Sequence, residues 1–150
     1  MLKITIPDGY ELDTVTADNS TIVLREKQPA KKANVTDIKT VADLFAYNGL
    51  THKQFDDSCT GLSGDEIAYR IIKLLVQTLN EGWTPDWSNE NQWKYYPWFD
   101  MAGSSGFRFD GCAYWGSGST VGSRLCFKSR ELAEHAGKHF TSVYKQFMSY

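Results

Sequence analysis

Three side chains near the carboxyl end of the chain have the types and spacing of metal ligands. Glu131, His135 and His139 recur every fourth residue, which places them along one side of a helix. A carboxylate and two imidazoles can bind a metal ion that activates water for hydrolysis. The Glu that follows the first His in zinc proteases is missing, and no fourth ligand is indicated. We therefore interpret both His residues as the border of a buried helix face, with a metal-dependent hydrolase as the alternative.

A glycine-rich segment, residues 116–124, is a second candidate for chemistry. Its sequence, GSGSTVGSR, offers backbone N–H groups that can bind an anion, beside the positive charge of Arg124. The Gly-Lys-Ser/Thr ending of a P-loop is missing. Because turns recruit Gly and Ser, the pattern favours a hairpin loop between two strands, with Arg124 kept among the predicted binding residues.

Nucleophilic catalysis requires a Ser or Cys beside a His and an orienting group, and no local pattern supplies them. Cys59, Cys112 and Cys126 are odd in number and have no C-x-x-C spacing, which favours reduced thiols over a disulfide framework or a zinc site. We predict no catalytic residue, no metal and no cofactor.

Aromatic residues are concentrated in one region. All five tryptophans lie between Trp83 and Trp115, and aromatic rings serve either as a core or as a contact surface. Alternation along residues 107–115 predicts that Phe107, Phe109, Ala113 and Trp115 face the core. Trp83, Trp87 and Trp93 lie among polar residues. These three rings either anchor a loop structurally or form an exposed contact surface, and the sequence is compatible with both. The predicted binding residues are Trp83, Trp87, Trp93, Tyr95, Tyr96, Trp98 and Arg124.

Composition indicates one globular domain. The chain has 150 residues, of which 41% are hydrophobic and 23% charged, a mix typical of folded proteins. A net charge of −2 does not favour duplex nucleic acid as a partner. Residues 1–7 alternate apolar and polar side chains, which indicates neither a signal peptide nor a membrane span. We expect a cytoplasmic protein.

Hydrophobic periodicity predicts an α+β fold. Residues 1–27 form a hairpin of two strands, 2–6 and 21–27, and residues 28–34 form a connector within the domain 1–150. Residues 35–150 hold a short helix at 37–47, a long helix capped by Ser63 and Glu66, and a final helix capped by Ser129. Cys59 falls in a polar loop between the first two helices.

The predicted sheet is mostly antiparallel. Residues 93–100, 107–115 and 123–128 read as a three-stranded meander packed against the two main helices. Pro97 lacks a backbone donor, which places its strand at an edge or a bulge. The N-terminal hairpin either extends this sheet or stands apart from it.

Four stretches form distinctive motifs: residues 4–13 (ITIPDGYELD), 81–87 (EGWTPDW), 94–100 (KYYPWFD) and 121–140 (VGSRLCFKSRELAEHAGKHF). They resemble a family of small bacteriophage and prophage proteins without assigned activity. The resemblance implies an accessory phage protein made inside a bacterial host cell, and it implies no catalytic residue. Together with the aromatic region, it leads us to expect a non-enzymatic protein that binds a host or phage protein, for example as a modulator of host defence. A small-ligand or glycan binder that uses the Trp-rich region is a further alternative.

Overall fold

The computed structural model describes residues 10–12, 24–26, 34–101 and 106–149. The chain divides into two compact units, Met1–Ala33 and Asn34–Tyr150, with a boundary inside the predicted connector. The described residues form helices and antiparallel two-stranded sheets, so the predicted α+β class is confirmed.

The described residues of the first unit, 10–12 and 24–26, form a pair of short strands. Strand β1 is Tyr10–Leu12 and strand β2 is Leu24–Glu26, and they run antiparallel with Tyr10 opposite Glu26. Strand β2 lies within the strand that we predicted at residues 21–27. The strand predicted at residues 2–6 lies outside the described residues.

Two short helices open the second unit, each with a capping box. Helix α1 is Val41–Tyr47, where the N–H of Asp43 donates to Thr40 Oγ1 and the N–H of Thr40 donates to the Asp43 carboxylate. The helix therefore begins four residues later than the predicted residue 37, and Asp37 instead ends a separate 3-10 turn, Val35–Asp37. Helix α2, His52–Ser58, was not predicted. Its Thr51/Gln54 capping box was the available signal.

Helix α3, Gly64–Asn80, is the centre of the unit. Its predicted start is confirmed, because the Ser63 N–H donates to the Glu66 carboxylate over 2.8 Å. Its predicted wide apolar face is also confirmed, since α3 contacts α1, α4 and α5. The fully buried side chains along it include Ala68, Ile72, Leu75 and Leu79.

Strand β3, Lys94–Asp100, and strand β4, Arg108–Trp115, form an antiparallel hairpin with a β-bulge. Trp98 pairs with Gly111 and Phe99 pairs with Phe109, so Asp110 is an extra residue in β4. Because one extra residue reverses the alternation of a strand, side chains beyond it change face. The prediction that Ala113 faces the core with Phe107 and Phe109 is therefore wrong.

The corrected face assignment is visible in side-chain burial. Cys112 packs against the core together with Phe107 and Phe109, whereas Trp115, which we predicted to face the core, is 46% exposed.

The predicted third strand is also wrong. Residues Ser123–Leu125 form a 3-10 helix, and only Phe127 pairs with β3, through two hydrogen bonds with Tyr95. This bridge lies on the edge of β3 opposite β4, so the order is not that of a meander. Pro97, two residues after Tyr95, faces the same edge and has no N–H to continue the ladder there.

The predicted final helix consists of two helices, α4, Arg130–His139, and α5, Thr141–Met148. Its apolar spacing is confirmed, since the predicted core residues are buried or half-buried: Leu132, Ala136, Phe140, Val143 and Phe147. The break at Phe140 lets α4 pack on the β3–β4 hairpin while α5 packs on α3. Thr141 Oγ1 donates to Gly137 O over 2.6 Å, a local bond that competes with a straight helix.

Helix α4 approaches the hairpin closely at Gly137. A Cβ at this position would lie 2.3 Å from Phe109 Cδ2 and 2.9 Å from Pro97 Cβ. The contact therefore requires glycine in the last turn of α4, despite its low helix propensity.

We expect Gly137→Ala to lower the free energy of unfolding by about 1–3 kcal/mol, because overpacking outweighs the gain in helix propensity. The control is Gly64→Ala, where the new Cβ would meet only the flexible Gln146 side chain at 3.0 Å. Urea denaturation of both variants tests the expectation. Equal stabilities would contradict the close packing of α4.

A buried asparagine joins the end of α3 to the segment after the 3-10 helix. Asn80 Nδ2 donates to Cys126 O, and the Lys128 N–H donates to Asn80 Oδ1, both over 2.9 Å. Asn80 is 4% exposed. These bonds satisfy backbone groups on both sides of Phe127, the residue that bridges to β3.

Asn80→Ala should lower the free energy of unfolding by about 2–4 kcal/mol, because it leaves buried backbone groups without partners. Gln77→Ala, at an exposed position of the same helix, is the control and should have little effect. Thermal and urea unfolding give the comparison, and a neutral Asn80→Ala would show that this clamp does not hold the segment.

Candidate functional site

The β3–β4 hairpin displays aromatic side chains on two faces. On the face that α4 partly covers lie Tyr95, Pro97 and Phe99 of β3. Their β4 partners on this face are Tyr114, Cys112 and Phe109. The opposite face carries Tyr96 and Trp98, with Ala113 and Trp115 beside them. The bulge therefore separates the predicted binding residues into two groups.

The first group is an exposed cluster at the open end of the hairpin, which we call the Trp93 cluster. The Trp93 ring meets the Tyr114 ring edge-on at 5.1 Å, and the Tyr95 ring lies 5.9 Å from it. The guanidinium of Arg130, at the start of α4, lies 5.8 Å from the centre of the same Tyr114 ring. Trp93 is 48% exposed and Tyr114 47%, so a preformed aromatic and cationic surface faces outward.

The second group borders a groove on the opposite face, which we call the α5 groove. Trp98 is 58% exposed and lines a cavity of about 270 Å³ between the hairpin, residues 120–125 and the end of α5. The Tyr96 ring also lines it, and Tyr96 Oη lies 3.2 Å from Ser119 Oγ. Burial raises the pKa of Tyr96, so its hydroxyl stays protonated.

Trp83 and Trp87 do not belong to either surface. Both are half-buried in the loop between α3 and β3, and the Trp83 N–H donates to Asn80 O over 2.9 Å. The structure does not bring these two predicted binding residues to the Trp93 cluster or to the α5 groove.

The buried side chain of Lys94 stabilises that loop through hydrogen bonds to its backbone. Its side chain is fully buried, and its Nζ donates to the backbone oxygens of Asp86 and Asn89 over 2.5 and 3.2 Å. The Trp87 ring lies 5.2 Å from Nζ, a distance typical of a cation–π contact. These carbonyl oxygens and the aromatic ring thus compensate the ammonium group for the hydration that it loses on burial.

The glycine-rich segment does not form the predicted hairpin loop. It follows β4 and leads into the 3-10 helix, and Gly116 passes so near Glu90 that a Cβ would lie 2.7 Å from its carbonyl oxygen. The side chain of Arg124 is exposed and does not line the α5 groove. The structure therefore does not bring Arg124 to the other predicted binding residues.

Two of the three candidate metal ligands contact each other, since the ring centres of His135 and His139 lie 4.6 Å apart. His135 Nε2 lies 2.7 Å from Ile38 O and so donates to it, which ties α4 to the 3-10 turn before α1. The pKa of Glu131 is lowered by its own backbone N–H and by the Ser129 hydroxyl. Burial, followed by the charges of His135 and nearby lysines, lowers the pKa of His139. Across the described ranges, no three His, Cys, Asp or Glu side chains form a group that could hold a metal ion.

The three cysteines are free thiols. Cys59 lies in the loop before α3, as predicted, directly after the end of α2, but its side chain is buried. Burial raises the pKa of Cys112 and Cys126, which keeps these thiols protonated and weakly nucleophilic.

Tyr114, Trp115 and Arg130 are surface residues that the sequence reasoning did not select. The prediction assumed regular alternation along β4, so it assigned Tyr114 and Trp115 to the wrong faces of the hairpin. The only available signal was Gly111, whose φ of +146° marks a position where strand alternation can be interrupted. No local pattern connects Arg130 to a ring sixteen residues earlier in the chain.

No family model matches the chain, and neither a curated protein nor a solved structure matches it. Within the part of the chain that the structure describes, no helix combines the length and the apolar character needed to cross a membrane.

We expect Lys94→Met to increase amide hydrogen exchange throughout residues 84–93 and to destabilise the fold by about 1–3 kcal/mol, because the carbonyls of Asp86 and Asn89 lose their buried donor. Lys128→Met removes only an ion pair with Glu81, at positions that are 34% and 46% exposed, and should change little. Hydrogen exchange measured by mass spectrometry separates the two variants. Unchanged protection of this loop in Lys94→Met would disprove the role of Lys94.

Proposed function

We propose that the chain acts without catalysis, by binding a protein partner through the Trp93 cluster. The observation that carries the proposal is the arrangement of Trp93 and Arg130 around the exposed Tyr114 ring. Trp, Tyr and Arg are the residue types that dominate binding energy at protein interfaces.

The cluster is also rigid, which favours binding. Trp93 directly precedes β3, Tyr114 belongs to β4, and Arg130 begins α4. Because each side chain starts from a regular element or from the residue directly beside one, less conformational entropy is lost when a partner binds. The ring contacts within the cluster reduce that loss further.

The charge of Arg130 fits a partner with an acidic or carbonyl-rich surface. Its side chain contacts the Tyr114 ring and lies within 3.8 Å of the Glu134 carboxylate, a pair in which both residues are partly exposed. An exposed pair of this kind contributes little to stability. Arg130 can therefore exchange Glu134 for a partner's carboxylate at small cost.

The resemblance to phage accessory proteins supplies the proposed setting. In that setting the chain acts in the cytoplasm of a bacterial host and binds a host or phage protein, for example as a modulator of host defence. The exposed Trp93 cluster supports the binding role, and the resemblance supports the bacterial host.

The test is affinity capture from bacterial host cells with the tagged full chain, followed by calorimetry with the captured protein after purification. Trp93→Ala should weaken binding about tenfold or more, as expected for an interface hot spot. Lys73→Ala, at an exposed position of α3, should bind as the unchanged chain does.

Melting temperatures of the variants serve as the folding control. Trp98→Ala, on the opposite face of the hairpin, should also keep full affinity. Capture that is equally strong with Trp93→Ala in a folded chain would contradict the proposed surface.

A further inference from the structure

Two of the three histidines of the chain lie side by side on the last turn of α4. His135 and His139 are four residues apart, and their ring centres lie 4.6 Å apart with the ring planes inclined by 51°. His139 is exposed and His135 is half-buried, so a solute can reach the pair. Imidazole nitrogens are ligands that Ni²⁺, Cu²⁺ and Zn²⁺ favour. The pair is therefore a candidate site for a divalent transition-metal ion.

The separation of the two rings is that of two imidazoles on one ion. With metal–nitrogen distances of about 2.0–2.1 Å, two imidazoles at about 90° to each other have ring centres about 4.5 Å apart. The observed separation of 4.6 Å thus requires little movement. An angle of about 90° belongs to octahedral and square-planar coordination, which suits Ni²⁺ or Cu²⁺ better than tetrahedral Zn²⁺.

A hydrogen bond to the backbone fixes which nitrogen of His135 is free. Nε2 lies 2.7 Å from Ile38 O, and a carbonyl oxygen only accepts, so in the neutral ring Nε2 carries the proton and Nδ1 the lone pair. Nδ1 makes no hydrogen bond with the described residues. Among these residues Tyr144 Oη is the only fully covered side-chain atom without a partner, so solvent reaches Nδ1. Metal-binding histidines have the same arrangement, in which the other ring N–H donates to a carbonyl or carboxylate.

The second ring is neutral at physiological pH, as a metal ligand must be. Partial burial, followed by the charges of His135 and two lysines, lowers the pKa of His139. These lysines, Lys39 and Lys138, also repel a metal cation, so we expect a moderate affinity. Glu131 is held at the start of α4 by its own backbone N–H. The site therefore differs from the three-ligand centre of the hydrolase alternative.

We propose that His135, through Nδ1, and His139 bind one divalent transition-metal ion such as Ni²⁺, with water at the remaining coordination positions. The ion joins two residues that are four apart and so closes the last turn of α4. That turn contains Gly137, which has a low helix propensity, and α4 ends directly after it. A bound ion therefore stabilises α4 where its own sequence is weakest.

The test is calorimetric titration of NiCl₂ into the full chain without an affinity tag. The unchanged chain should bind one ion. His135→Ala and His139→Ala should each weaken binding about tenfold or more, because each removes one of the two protein ligands. His52→Ala, at the exposed start of α2, is the matched control and should bind Ni²⁺ as the unchanged chain does. MgCl₂ should not compete, since Mg²⁺ prefers oxygen ligands.

NMR and melting temperatures locate the ion independently. Octahedral Ni²⁺ is paramagnetic, so it should broaden the amide signals of residues 135–139 and leave those around His52 sharp. Ni²⁺ should raise the melting temperature of the unchanged chain and of His52→Ala, but not that of His139→Ala. Because His139 is exposed, this variant covers the case in which His135→Ala, which loses the bond to Ile38, does not fold.

Equal Ni²⁺ affinity of the unchanged chain and His139→Ala would overturn the proposal. So would the absence of Ni²⁺ binding, competition by MgCl₂ at equal concentration, or broadening centred on another part of the chain. Trp93→Ala should bind Ni²⁺ normally, so the failure of this site and the failure of the Trp93 cluster give different results.

Discussion

One extra residue in β4 determines which aromatic side chains of the hairpin share a face. Asp110 has no partner in β3, and Gly111 next to it has a φ of +146° that suits glycine. Beyond this bulge Tyr114 lies on the face of Trp93, and Trp115 lies on the face of Trp98. A regular strand would exchange Tyr114 and Trp115, so the Tyr114 ring that Trp93 and Arg130 both contact would lie on the opposite face.

Buried polar groups then fix the hairpin to the rest of the unit. Asn80 bonds to the backbone around Phe127, which in turn bridges to β3. Lys94 holds the loop that precedes Trp93. Gly137 allows α4 to lie directly on Phe109 and Pro97. Each of these contacts requires a particular direction or distance. Together they therefore define the positions of the exposed rings more closely than apolar packing alone would.

The two surfaces differ in the chemistry that they offer. The Trp93 cluster combines exposed rings with the charge of Arg130, as protein interfaces do. The α5 groove is concave and uncharged in its described lining. The two surfaces therefore differ in charge and shape, and one hairpin presents both because a β-ribbon has two faces.

The sequence by itself determined the α+β class, the long helix capped at Ser63 and the apolar spacing from Leu132 to Phe147, because these signals lie within a few residues of each other. Only the tertiary structure decided the faces of β4, the loss of the third strand and the break at Phe140. A bulge depends on how two strands pair, Pro97 blocks a ladder only on one edge, and the break depends on what α4 and α5 each contact. These are relations between distant residues, which local periodicity does not record.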